Sequence, residues 1–146
     1  MNVGQIATKG VITASPATPL AEVARFMLEG NVGAVVMTKS PLDKPVVVGI
    51  VTDRDIVRTQ FHRAVPLSSL NAEEAMTRDP LVLNEDQSVG SAIGSLQVRG
   101  VRRAPVINAN GMLSGLISSD DLLARVSEEL THLSTLVSSQ LRSVRT

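Results

Sequence analysis

Apolar residues along this chain recur with two periods, and the two periods alternate. Leu20, Val23, Ala24, Met27 and Leu28 follow a three-and-four spacing that predicts an amphipathic helix. Thr18 is a good N-cap for it, Glu22 sits near its positive end, and Gly30-Asn31 is a natural stop. Two short apolar runs follow, Ala34 to Met37 and Val46 to Val51, and both read as buried strands. A second helix opens at Thr52. The second half repeats the order. Ser88 caps a helix that ends near Gly100, the runs Ala104 to Ile107 and Leu113 to Ile117 flank an Asn110-Gly111 turn, and Ser118 opens another helix.

The halves superpose when Thr8-Lys9 is laid on Thr77-Arg78. Val11-Ile12-Thr13-Ala14 then falls on Pro80-Leu81-Val82-Leu83, and Val32 to Met37 falls on Val101 to Val106. The register shifts across the longer loop of the first copy, Lys39 to Pro45, and Gly49 meets Gly115. Each copy is a β-α-β-β-α unit, so the expected class is α+β, with two repeats packed about a pseudo-twofold axis. The expected divisions are residues 1–60, a connection at 61–69, a second repeat at 70–125 and a helical extension at 126–146. A lone unit of about 60 residues buries too little surface to be robust, so the copies need each other.

The extension carries its own stripe. Leu123, Val126, Leu130, Leu133, Val137, Leu141 and Val144 recur at threes and fours, continuing the last helix of the second repeat for five turns or more. Such a stripe packs either on its own domain or on a partner subunit. The partner is favoured, because the repeats already have their own helices.

Composition narrows the function. Lys plus Arg equals Asp plus Glu at 14 each, and aromatics are two Phe with no Tyr or Trp. Neutral charge and absent stacking platforms argue against nucleic-acid binding. No cysteine means no disulfide, thiolate metal site or cysteine nucleophile, and fits a reducing cytoplasm. No secretory leader is expected, and the apolar runs are too short to cross a bilayer. The two histidines, His62 and His132, lack partners at catalytic spacing, and no His/Asp/Glu group has metal-ligand spacing. The expectation is therefore a protein that is not an enzyme and holds no metal.

The informative chemistry is a duplicated corner. Gly49-Ile50-Val51-Thr52-Asp53-Arg54-Asp55 and Gly115-Leu116-Ile117-Ser118-Ser119-Asp120-Asp121 each give glycine, strand, hydroxyl, then carboxylate three residues on. A helix start attracts phosphate oxygens, and an ionised carboxylate suits the vicinal hydroxyls of a ribose. The same spacing also makes a capping box, so duplication gives the pattern its weight. Arg102-Arg103 precedes a strand, where neighbouring side chains face opposite ways. One arginine can reach a phosphate, or both can form surface ion pairs. The first copy has Gly33-Ala34 there, so the two clefts should differ in phosphate affinity.

The Gly49–Val57 segment, Met76-Thr77-Arg78-Asp79-Pro80 and Val101-Arg102-Arg103-Ala104-Pro105-Val106 together resemble a tandem pair of CBS domains, from about Val3 to about Arg125. That resemblance implies a regulatory module binding AMP, ADP, ATP or S-adenosylmethionine in clefts between the repeats, with no cofactor required. It implies ribose at Asp55 or Asp121, phosphate at Thr52 or Ser118 with help from Arg102 or Arg103, and adenine framed near Ile12, Leu81, Ala34 and Ala104. It further implies a disc-shaped homodimer that passes its signal to another protein. The second corner departs from the pattern, because Asp120 adds a negative charge beside the expected phosphate end. The alternative is an interaction scaffold whose clefts are vestigial.

Overall fold

The computed structural model describes residues 1–144. The elements are α1 (Val3–Ile6), β1 (Thr13–Ala14), α2 (Leu20–Gly30), β2 (Ala34–Lys39), β3 (Val46–Thr52) and α3 (Asp53–Arg63), then β4 (Thr77–Arg78), β5 (Leu83–Asn84), α4 (Val89–Arg99), β6 (Arg103–Ile107), β7 (Leu113–Ser118) and α5 (Ser119–Val144). They form two sheets, ordered β1-β2-β3-β4 and β5-β6-β7. In each, a short leading strand runs parallel to the first long strand, which pairs antiparallel with the second. The α+β class and the two repeats are as the sequence predicts.

The halves are interlocked at their beginnings. β4, from the start of the second copy, closes the first sheet by pairing with β3 at Gly49 and Ile50. Reciprocally, Thr8 exchanges two backbone hydrogen bonds with Leu116 of β7, at 2.8 and 3.0 Å. The flanking segments follow the same rule. Val3 and Gly4 donate to the carbonyls of Gln87 and Glu85, while Ala72 and Glu73 donate to those of Thr18 and Pro16. Val3 and Ala7 therefore belong to the core of Leu83, Ala104, Val106 and Ile117. Leu70 and Ala72 belong to that of Leu20, Val35, Met37 and Val51. Both cores are aliphatic, as a chain with almost no aromatics requires.

Gly49 and Gly115 make this crossing possible. A Cβ on Gly49 would meet Met76 Sδ at 2.6 Å and the Thr77 carbonyl oxygen at 3.1 Å, and one on Gly115 would meet Ala7 Cβ and the Thr8 oxygen at 3.0 Å. Only a bare backbone lets the exchanged segment come so near.

The helix caps hold with one exception. Ser88 caps α4 by accepting the Ser91 N–H at 3.1 Å, and Gly100 ends it in the left-handed region. The N-cap of α2 is Pro19 and not Thr18, whose hydroxyl instead accepts from the Ser15 N–H in the preceding turn. A hydroxyl this close to a turn is drawn to local backbone donors.

α5 packs on β7, α4 and α1 near its start, where Leu122 is buried and Arg125 Nε reaches Met1 Sδ at 3.0 Å. From Leu123 to Ser143 every residue is exposed, including Leu123, Leu130, Leu133, Leu136 and Leu141. The side chain of Val144, last in the stripe, lies outside the described residues.

Candidate ligand cleft

Strand β3 ends at Thr52, and α3 begins one residue later, so the hydroxyl and the Asp55 carboxylate are fixed by a strand-to-helix corner. They cap each other. The Thr52 Oγ accepts the Asp55 N–H at 3.2 Å, and Asp55 Oδ2 accepts the Thr52 N–H at 2.9 Å. Ser118 and Asp121 reproduce this at 3.1 and 3.0 Å. The remaining amides at the start of α3 are also taken. Asp53 N–H donates to the Gly33 carbonyl at 3.0 Å and Arg54 N–H to Asp53 Oδ1 at 2.8 Å. The helix start thus does not offer bare N–H groups to a phosphate, and side chains must do that work. What remains free for a ligand is the Thr52 hydroxyl proton and Asp55 Oδ1, whose nearest cation is Arg58 at 3.8 Å.

The corner opens into a cleft of about 400 Å³, a size that suits a nucleotide. Both halves build it. Thr52, Asp55 and Ile50 come from the first, and Leu81, Arg102 and Arg103 from the second. Arg102 sits at the rim, with its Nη2 3.4 Å from Asp120 Oδ1 and both side chains nearly four-fifths exposed. Asp120 therefore turns outward into a weak surface pair. Arg103 is half-buried and lies across Gly33, its Nη1 3.2 Å from where a Cβ would be.

Other predicted residues lie elsewhere. Asp121 borders a shallow opening of about 420 Å³ with Gln5, Ile6 and Ala124. Ile12 packs its Cδ1 onto the backbone of Gly30. Ala34 and Ala104 are buried in β2 and β6, so only their strand backbone is left to frame a ring. A larger hollow of about 820 Å³, walled by Ser15, Lys39, Val48 and Arg78, includes neither corner, and its Arg78 is held by Glu73 at 3.1 Å. Three residues escaped the sequence reading: Arg54, Arg58 and Arg99, all lining the first cleft. The available signals were a pair at i, i+4 straddling Asp55 and a cation just before the Gly100 cap.

Among the described residues no group of three or more His, Cys, Asp or Glu is placed to hold a metal, and no helix is long and apolar enough to cross a membrane. His62 stacks edge-on against Phe61.

Residues 3–62 and 72–128 each match the CBS domain. The chain belongs to the CBS domain family. An uncharacterised protein of Methanopyrus kandleri is 32% identical over 123 residues, covering 84% of this CBS pair and 61% of that protein. The pair thus spans under two thirds of that relative's length. Among solved structures, a CBS domain pair in complex with 5′-methylthioadenosine and S-adenosyl-L-methionine is similar at a TM-score of 0.76 and 21% identity, covering 88% of this chain and 98% of that one. A second, CBSX2 in complex with AMP, is similar at 0.70 and 23%, covering 89% and 98%. At such identities the likeness is one of fold.

Proposed function

We propose that this CBS pair is a non-catalytic regulatory module that binds an adenine nucleotide, AMP, ADP or ATP, between its repeats and reports occupancy to another protein. The observation that carries the reading is the cleft itself. A hydroxyl and a carboxylate from one half face an apolar side chain and three arginines, Arg99, Arg102 and Arg103, from the other. Asp55 Oδ1 is free to accept ribose hydroxyls, Leu81 offers an apolar wall for a base, and Arg103 is within reach of phosphate. CBS pairs of the same fold bind AMP, or methylthioadenosine with S-adenosylmethionine, which supports an adenine-containing ligand. Because the walls belong to different repeats, a ligand that prefers one arrangement of the halves shifts their packing.

The reading extends to a homodimer joined along α5. Its apolar stripe is exposed along some five turns, and helices in proteins draw most of their stability from packing such an amphipathic face. We also place the protein in the cytoplasm, for which the cysteine-free sequence is the support.

The test is melting with and without AMP, ADP, ATP and S-adenosylmethionine. A ligand at a hundred times its Kd adds about 2.7 kcal/mol, a rise of several degrees. Asp55→Ala and Asp121→Ala should abolish that rise cleft by cleft, judged against each variant's own ligand-free melt. If no ligand shifts the melt, the module is an interaction scaffold instead.

A further inference from the structure

The two corners share a shape but sit in opposite electrical surroundings. The Thr52–Asp55 cleft is lined by Arg54, Arg58, Arg99, Arg102 and Arg103, against only Asp53 and Asp55. The register of the repeat carries those arginine positions onto Asp120, Ala124, Gly30, Gly33 and Ala34 in the other half. None of these is cationic and one is acidic. The cation beside Asp121, Arg125, is held no more tightly than Arg58, at 3.9 and 3.8 Å from Glu128 and Glu129, but it is a single cation faced by two carboxylates besides Asp121.

The arginines of the first cleft are poorly compensated. Arg58 and Arg102 have only long contacts, at 3.8 Å to Asp55 and 3.4 Å to Asp120. Among the described residues, Arg54, Arg99 and Arg103 have no carboxylate within ion-pair distance. Arg99 is steadied by donating to the Asp79 carbonyl at 3.1 Å, a neutral acceptor that leaves its charge unbalanced. Arg103 is admitted by Gly33, where a side chain would crowd its guanidinium. Asp53 Oδ2 approaches the same spot, 3.4 Å from the absent Cβ, and tempers the field without cancelling it. A single phosphate brings about two negative charges, too few for three unbalanced guanidiniums beside two loosely held ones. A chain of phosphates matches them, since each guanidinium can grip phosphate oxygens in pairs.

We infer that the two clefts take chemically different ligands: the Thr52–Asp55 cleft a nucleoside polyphosphate, and the Ser118–Asp121 corner a nucleoside bearing no phosphate. This rests on the nucleotide reading above and gives each cleft its own ligand class.

Isothermal titration of the full chain with adenosine, AMP, ADP, ATP and tripolyphosphate tests it. One charge-assisted contact per added phosphate predicts affinity at the first cleft rising about tenfold from AMP to ADP and again to ATP, with ATP binding weakening steeply as salt rises. Arg99→Ala and Arg103→Ala, made separately, should each cost ATP about tenfold and leave adenosine binding unchanged. Asp121→Asn should weaken adenosine at the second corner and spare ATP. Arg99 is exposed and Arg103 half-buried, and the melts of both variants check that the fold survives. AMP binding as tightly as ATP would overturn the assignment, as would an ATP preference that survives both arginine variants or is lost in Asp121→Asn. Tripolyphosphate binding as tightly as ATP, with adenosine silent, would make the cleft an anion site and overturn it too. If no adenine ligand binds, the nucleotide reading itself has failed.

Discussion

Gly115 and Thr8 lie so close that a Cβ on the glycine would stand 3.0 Å from the threonine carbonyl oxygen. That oxygen belongs to backbone hydrogen-bonded to Leu116 on the same strand, so it cannot retreat. Gly115→Ala should therefore destabilise the protein by about 1–3 kcal/mol, the usual cost of overpacking. Gly49→Ala should cost a comparable amount, because the Thr77 carbonyl oxygen stands 3.1 Å away on backbone paired with Ile50, and the Met76 sulfur at 2.6 Å must shift as well. Urea melts of the two variants measure both losses. Equal, negligible effects would mean the exchanged segments pack more loosely than described.

The reciprocal cap at Thr52 has a stability role separate from any ligand. Thr52→Ala should lower ligand-free stability by about 1 kcal/mol, and Thr52→Ser should restore it. Chemical denaturation without nucleotide measures this. A ligand-free Thr52→Ala protein as stable as the parent would show that the cap contributes nothing.

The stripe on α5 predicts an assembly that charge can break. Leu133 and Val137 are 57% and 49% exposed, so replacing both with Glu removes no buried side chain. Sedimentation should find a dimer for the parent and a monomer for Leu133→Glu/Val137→Glu, with the body melting as before. A monomeric parent, or a variant that stays dimeric, rules out the α5 contact.

Acid should loosen the first half through Glu74. Its carboxyl is held below the ordinary glutamate range, first by the Asn71 backbone N–H at 2.9 Å, with Arg63 at 2.8 Å adding to it and partial burial opposing. A carboxyl with a lowered folded value contributes stability above its unfolded value of about 4.3, and loses it as pH falls through the lower folded value. Glu74→Gln should flatten that part of the stability profile and leave the remaining acid sensitivity intact. Denaturation midpoints between neutral pH and about pH 3 supply the measurement, and identical slopes would count against the pairing.

Much of this was readable from the chain, for identifiable reasons. The strands and helices announced themselves through alternating periods, and the corners through a spacing that recurs. The crossing did not, because Val3, Ala7, Leu70 and Ala72 are apolar residues that would suit either core, and periodicity says which face is buried but not against what. Arg54, Arg58 and Arg99 escaped for a related reason. Each looks like an ordinary solvated charge until α3 and the end of α4 are brought to one cleft. Thr18 misled because a hydroxyl beside a proline-bounded turn can satisfy the turn or the helix, and here it satisfies the turn.

The interlocked beginnings also set a schedule for biosynthesis. A ribosome delivers Val3 and Ala7 long before Ile117, yet the surface that receives them is complete only once Ile117 has been made. The first sheet can close as soon as Thr77-Arg78 emerges, while the leading residues stay unclaimed until the second is almost finished. A nascent chain stalled between those points carries Val3 and Ala7 unanchored, and these apolar residues are where a chaperone or protease would first take hold.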